Sequence, residues 1–258
     1  MAVAPARAGR PGASGPIQDE LESCPFCAGR EERTPPETLR LGDPWQVRVV
    51  PNLYPAVERQ EVVVHTPEHL RSIAELSDEQ LGVVAEAWRL RARAARNKGF
   101  PYVHALVNEG RAAGSSLPHT HSQLAWLRET PPVPAAERDL SALLDGEVVL
   151  ERDGLVLLSP RAGRLAYELL IAPAQPEPNA FESPLLAPAL ALAAEGARRV
   201  RMLQPEAPLN VWLHDVVWWH LELVPRLSVL AGLELGAGIY VNTVAPEEAA
   251  ASLRGSTS

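Results

Sequence analysis

Asn108-Glu-Gly-Arg-Ala-Ala-Gly-Ser-Ser-Leu-Pro-His-Thr-His-Ser-Gln123 is the stretch on which the reading of this chain turns. Side chains alternate faces along an extended segment, so His119, His121 and Gln123 project to one side of a strand expected over His121–Leu127. Three polar groups on one face of a segment that runs on into Leu124-Ala-Trp-Leu127 are costly to bury without partners. One histidine there would read as a solvent-facing edge or a satisfied core residue. His-x-His-x-Gln behind a Gly/Ser loop points to chemistry instead. That loop can aim the backbone N–H groups of Gly114, Ser115 and Ser116 at an anion with no side chain in the way, as phosphate-binding nests do.

Working outward, Val47–Val50, Glu61–His65 and Tyr102–Val107 read as strands, the first two separated by the turn-like Pro51-Asn-Leu-Tyr-Pro55. A helix is expected from about Ser77 to Asn97, opened by a capping box in Ser77-Asp-Glu-Gln80, with Leu81, Val84, Ala85, Trp88 and Ala92 forming its apolar stripe. The second half replays this order: strands at Leu155–Leu158 and Leu165–Ala172, a helix over Leu186–Met202, then strands at Leu209–Leu213 and Trp218–Val224. Setting His121 against His220 sets Gln123 against Glu222, an offset of 99 residues in both cases. The expectation is an α+β chain of two units, residues 1–145 with the active-site strand and 146–258 as a degenerate copy, forming one pseudo-symmetric body.

The 258 residues suffice for such a body, and 46% hydrophobic with 22% charged residues are globular proportions. A net charge of −8 opposes binding to nucleic acid or anionic membranes, without bearing on a local phosphate pocket. Lys98 is the single lysine. There is no long apolar run to span a membrane and no apolar core to a leader in Met1–Pro16, so the expected location is the cytoplasm. Residues 1–45, rich in Pro, Gly and charge, are expected to be irregular and pinned at Cys24 and Cys27. Cys24-Pro-Phe-Cys27 admits a redox dithiol, half a metal site, or chance. Its setting between a polar leader and a charged loop suits a zinc knuckle better than a thioredoxin-like turn, and two ligands would have to come from elsewhere.

His-x-His-x-Gln after Asn-x-Gly-x-x-x-Gly-x-Ser resembles the active-site signature of the galactose-1-phosphate uridylyltransferase family, within the histidine-triad superfamily. Met1-Ala-Val-Ala-Pro-Ala-Arg-Ala-Gly-Arg-Pro11, Cys24-Pro-Phe-Cys-Ala-Gly29 and Glu68-His-Leu-Arg-Ser-Ile-Ala-Glu-Leu-Ser77 resemble its early segments. Pro225-Arg-Leu227, Ala231-Gly-Leu-Glu234 and Gly238-Ile-Tyr-Val-Asn242 resemble its C-terminal block.

The resemblance implies two histidine-triad-like α/β repeats with mainly antiparallel sheets in a half-barrel, a homodimer, and nucleotidyl transfer. His121 would attack the α-phosphorus of a nucleoside diphosphate sugar, expelling a sugar 1-phosphate, and a second sugar phosphate would discharge the nucleotidyl-histidine. Gln123 would hydrogen-bond a phosphoryl oxygen; a third histidine there marks related hydrolases. The resemblance also implies a zinc site at Cys24, Cys27, His69 and His119, His65 being the rival of His69. A second metal, iron or zinc, would match Glu137, His214, His220 and Glu222, the last a carboxylate where the family has imidazole. Asn52 matches a base-contacting asparagine and also suits a plain turn former. Asn108, Gly114, Ser115 and Ser116 match the phosphate-binding loop, Arg7 and Arg10 match arginines near the phosphates, and Glu234 matches a hexose contact. UMP exchange between a UDP-hexose and a hexose 1-phosphate is the leading expectation. ADP-sugar phosphorolysis is the alternative, followed by a nucleotide hydrolase or a nucleotide-sugar-binding protein.

Overall fold

The computed structural model describes residues 20–136 and 142–256. A four-residue helix α1 (Glu20–Ser23) leads into strands β1 (Leu39–Leu41), β2 (Val47–Pro51) and β3 (Arg59–Val64). Helix α2 (Asp78–Asn97), β4 (Tyr102–Glu109), β5 (His121–Leu127) and the short α3 (Pro132–Ala136) complete the first half. The second half holds β6 (Gly146–Arg152), β7 (Leu155–Pro160), β8 (Leu169–Pro173), α4 (Leu186–Leu203), β9 (Leu209–His214) and β10 (His220–Pro225). Helices α5 (Gly232–Ala237) and α6 (Pro246–Gly255) follow.

The ten strands of the described residues share one antiparallel sheet in the order β1-β2-β3-β5-β4-β9-β10-β8-β7-β6. The order is a palindrome of the connectivity: each half runs first, second, third, fifth, fourth, and the two fourth strands, β4 and β9, pair in the middle. The sheet is open, with β1 and β6 at its edges.

Strand alternation divides the sheet into two unlike faces. One carries Val63, Val103, Ala105, Val107, Leu124, Trp126, Val211, Leu213, Leu221 and Leu223, which join the apolar stripes of α2 and α4 in the main core. The other carries Gln60, Val62 and Val64 of β3, His121 and Gln123 of β5, and, across β4, β9 and β10, Asn108, Asn210, His214, His220 and Glu222. Burial of Leu124 and Trp126 against the helices therefore obliges His121 and Gln123 to face the other way. Ser122, buried on the helix side, accepts a 2.8 Å hydrogen bond from Trp88 Nε1 of α2, which fixes that register.

Several local expectations change. Ser77 caps α2 by accepting from Gln80 N, but the Gln80 side chain donates to the carbonyls of Gln46 and His65, so only half of the capping box forms. The strand expected from Leu165 begins at Leu169: Tyr167 has φ +60°, and the Glu168 carboxylate accepts from the N–H groups of Arg164 and Leu165, folding those residues into a turn. The strand expected from Trp218 begins at His220. Residues 1–45, expected to be irregular, include α1 and the edge strand β1. No helix among the described residues is long and apolar enough to cross a membrane.

Candidate active site

Residues far apart in the chain meet just before β5. His119 is fully buried, and its Nε2 donates to the carbonyl of Thr66 at 2.9 Å. A carbonyl only accepts, so the proton sits on Nε2 and Nδ1 carries the lone pair. That Nδ1 lies 3.5 Å from Cys24 Sγ and 3.7 Å from Cys27 Sγ, while His69 Nδ1 lies 3.2 Å from Cys27 Sγ. The four side chains offer ligand atoms all within 4.8 Å of one another, and the two thiols are not joined as a disulfide. His65, the rival of His69, is turned away, its Nδ1 3.0 Å from Thr120 Oγ1. Burial pushes the Cys27 thiol up to about 11 and the His119 imidazolium down to about 4, the latter opposed by the bond to Thr66. Buried sulfur and lone-pair nitrogen converging in this way are a donor set for a divalent metal ion.

Two residues on, the His121 Nδ1 is 2.7 Å from the carbonyl of His119. The same reasoning puts the proton on Nδ1 and leaves the lone pair on Nε2. Phe26, between the two cysteines, meets both rings edge-on, with centroids 5.9 Å from His119 and 5.4 Å from His121. The knuckle thus touches the histidine strand through a side chain as well as through the cysteines.

Gln123 is oriented from its oxygen. Its Oε1 accepts from Gln60 Nε2 at 2.6 Å and from Asn52 Nδ2 at 3.3 Å, so it is the amide oxygen of Gln123 that these two neighbours hold. Asn52 acts as a turn former, its Oδ1 accepting from Tyr54 N at 2.9 Å, and its amide donates to Gln123 Oε1. It also borders a cleft of about 200 Å³ whose walls include Glu61, Arg91, Lys98 and Trp126, groups of the helix side of the sheet rather than of the histidine face. Gln60, which had no role in the sequence reading, links Gln123 to the turn by accepting from Ala56 N at 2.7 Å. Its only sequence signal was its place on the same face as Val62 and Val64.

The loop departs from expectation. Gly114 is left-handed at φ +88°, but its N–H donates to Arg111 O at 2.9 Å and the Ser115 N–H to Gly110 O at 3.1 Å, so two of the three proposed anion donors bond within the loop. Ser115 Oγ donates to Leu117 O at 2.7 Å. Asn108 accepts from Asn210 Nδ2 at 2.7 Å, a contact made across the central strand pair. Glu234 is not brought to the strand site by any described contact; its carboxylate accepts from Ala231 N at 2.9 Å, capping its own short helix. Arg7, Arg10 and Glu137 lie outside the described residues.

In the second half His220 repeats the device of His121, with Nδ1 3.1 Å from the carbonyl of Trp218. His214 Nδ1 and His220 Nε2 lie 3.7 and 3.9 Å from Glu222 Oε1. The other Glu222 oxygen is taken by Arg164, which also pairs with Glu168.

Residues 54–132 match the family model described as galactose-1-phosphate uridyl transferase, N-terminal domain. Among curated proteins, an ADP-glucose phosphorylase of Arabidopsis thaliana is 28% identical over 90% of this chain and 81% of its own. A galactose-1-phosphate uridylyltransferase of Thermotoga maritima is 23% identical over 93% of this chain and 91% of its own. Among solved structures, an ADP-glucose phosphorylase from Arabidopsis thaliana with bound ADP-glucose superposes with a TM-score of 0.84 at 25% identity, covering 98% of this chain and 94% of that one.

Proposed function

We propose that this chain, which matches the galactose-1-phosphate uridyl transferase N-terminal domain over residues 54–132 and is similar across most of its length to a galactose-1-phosphate uridylyltransferase and an ADP-glucose phosphorylase, transfers a nucleotidyl group from a nucleoside diphosphate sugar to a phosphate-bearing acceptor. The observation that carries this reading is the His119 carbonyl on His121 Nδ1, which holds the opposite nitrogen as a base and nucleophile. His121 Nε2 attacks the α-phosphorus; the N–P bond forms as the bond to the bridging oxygen breaks, and the sugar 1-phosphate leaves with the electron pair. An oxygen of the acceptor phosphate then attacks the same phosphorus, and the N–P pair returns to Nε2. The Gln123 amide donates to a phosphoryl oxygen as charge builds there. It supplies no proton, which suits a leaving group that is already an anion and disfavours the hydrolase reading.

Cys24, Cys27, His69 and His119 would hold zinc. Bonds of about 2.3 Å to sulfur and about 2.0 Å to nitrogen in a tetrahedron set S and N about 3.5 Å apart, the range of the distances above. When bound, zinc would tie the knuckle to the strand; four protein ligands leave no open position for substrate. A second metal at His214, His220 and Glu222 would have to compete with Arg164 for the carboxylate.

Two donor and acceptor pairs fit this chemistry. Uridylyl exchange between a UDP-hexose and a hexose 1-phosphate is the reading the signature suggests. ADP-sugar phosphorolysis is favoured by the higher identity to the ADP-glucose phosphorylase. Coupled assays offering UDP-glucose with galactose 1-phosphate and ADP-glucose with phosphate separate them. Recovery of a radiolabelled nucleotidyl adduct on His121 supports transfer, and its absence with intact ligand binding would make the chain a binding protein. Leu227, Val229, Leu233, Leu235, Ile239 and Val241 are all exposed in one stretch, Val229 by 90%. We propose that a second copy of the chain covers them, giving a homodimer whose mass light scattering would read.

A further inference from the structure

Arg226 directly follows β10, and its N–H donates to Pro208 O at 2.8 Å, which seats it beside the start of β9. Its Nη1 donates to Asn210 Oδ1 at 3.2 Å, while its Nε is closed to solvent and has no acceptor. Asn210 in turn donates from Nδ2 to Asn108 Oδ1 at 2.7 Å and to Ala113 O at 2.8 Å. A guanidinium from the second half is thus two hydrogen-bond links from the loop that precedes the histidine strand. Val107 pairs with Ser122, and extending that register by one residue sets Asn108 across from His121. Asn210 is on the next strand beyond, two spacings of about 4.8 Å from β5, or roughly 10 Å. That span suits a phosphate attached to one already at His121.

The charge pattern points the same way. No carboxylate pairs with Arg226 among the described residues, whereas Arg40, Arg91, Arg164 and Arg201 each hold one. The lone lysine, Lys98, lies over the Trp126 ring at 6.0 Å, on the opposite side of the sheet. With the Gly114 and Ser115 N–H groups turned inward, the cation this loop itself carries is Arg111, the rival of Arg226 for an anion here. A cation held by a neutral asparagine, with a donor lacking an acceptor, is arranged for an anion that arrives with the substrate.

We propose that Arg226 is the cation that binds the acceptor phosphate, whether inorganic phosphate or the phosphate of a sugar 1-phosphate. By microscopic reversibility the same subsite holds the phosphate of the departing sugar 1-phosphate. The proposal rests on the transfer reading above and names a residue for it.

The test uses the full chain with Arg226→Gln and Arg226→Lys. Glutamine keeps a donor for Asn210 and removes the charge, and lysine keeps the charge. Labelled nucleotidyl-enzyme is isolated and discharged with inorganic phosphate in one arm and a sugar 1-phosphate in the other, and phosphate binding to unreacted enzyme is followed by calorimetry. Arg226→Gln should raise the half-saturating acceptor concentration about tenfold or more, with the saturated discharge rate within about threefold, and weaken phosphate binding in parallel; Arg226→Lys should recover most of both. Affinity for the nucleoside monophosphate should be unchanged, which shows the fold is intact. The arm that discharges the wild-type adduct identifies the acceptor. Equal phosphate affinity and equal acceptor dependence in Arg226→Gln, or a defect that follows Arg111→Gln instead, would overturn the assignment. A wild type that forms no adduct would overturn the transfer reading, while the calorimetric comparison would still decide Arg226.

Discussion

The Nδ1 of His121 sits 2.7 Å from the carbonyl oxygen of His119, so the residue that faces the cysteines also sets the tautomer of its neighbour. If Nε2 is the nucleophile, His121→Asn should lower nucleotidyl transfer by at least about three orders of magnitude and abolish the labelled adduct, with folding unchanged by circular dichroism. An adduct that persists on the variant would move the nucleophile elsewhere.

Gln123 and Gln60 make a graded pair. Gln123→Ala should reduce kcat by about 10²-fold with little change in KM, because a donor to developing charge is lost. Gln60→Leu leaves Gln123 in place but removes its 2.6 Å anchor, so a smaller kcat loss of about tenfold is expected. Steady-state kinetics on both variants would show whether Gln60 acts through Gln123.

Metal affinity should depend on pH with a definite sign. Burial raises the Cys27 thiol to about 11, so near neutrality the protein holds protons that a metal ion must displace. Chelator competition should give an apparent affinity that climbs as pH rises from about 6 to 8, by up to about tenfold for each proton displaced per pH unit. Cys24→Ser should remove metal from the purified chain and lower its melting temperature. Inductively coupled plasma mass spectrometry measures the former.

Glu109, buried at the end of β4, accepts from Ile73 N at 2.6 Å and Ser72 Oγ at 2.8 Å and pairs with Arg201 at 2.7 Å. Burial raises its carboxyl above the usual value, and Arg201 opposes that. A native carboxyl that keeps its proton to higher pH than the unfolded one makes stability fall as pH rises between the two values. Arg201→Met removes the opposing charge, so it should cost about 3–5 kcal/mol at neutral pH. The deficit should shrink toward pH 5, as thermal melts across that range would show.

The histidine strand and the Cys-x-x-Cys were legible because their chemistry is local: period-two spacing places His121 and Gln123 on one face, and a two-residue gap between cysteines suits a shared ligand. His69 could be preferred to His65 only by resemblance, since both lie in the same polar stretch; here Thr120 holds one and the cysteines face the other. Gln60 and Arg226 were not singled out because their contacts to Gln123 and Asn210 arise from register and from strands distant in sequence. The edge strands β1 and β6 escaped notice for a related reason: paired on one side only, they carry less of the hydrophobic pattern that marks β2 or β8. The late start of β8 depended on the turn that Glu168 closes, a contact no propensity encodes.

The palindromic sheet has a consequence at its silent end. His220 keeps the carbonyl-bound Nδ1 of His121, so the second half still offers an aligned imidazole. Two residues further on, where the first half has an amide, it has Glu222 locked to Arg164. Exchanging that amide for a carboxylate replaces N–H donors with an acceptor-only group, whose charge is met by the Arg164 guanidinium. Two frameworks of the same strand order thus end in opposite hydrogen-bonding character, an amide N–H donor in the first half and an acceptor-only carboxylate in the second.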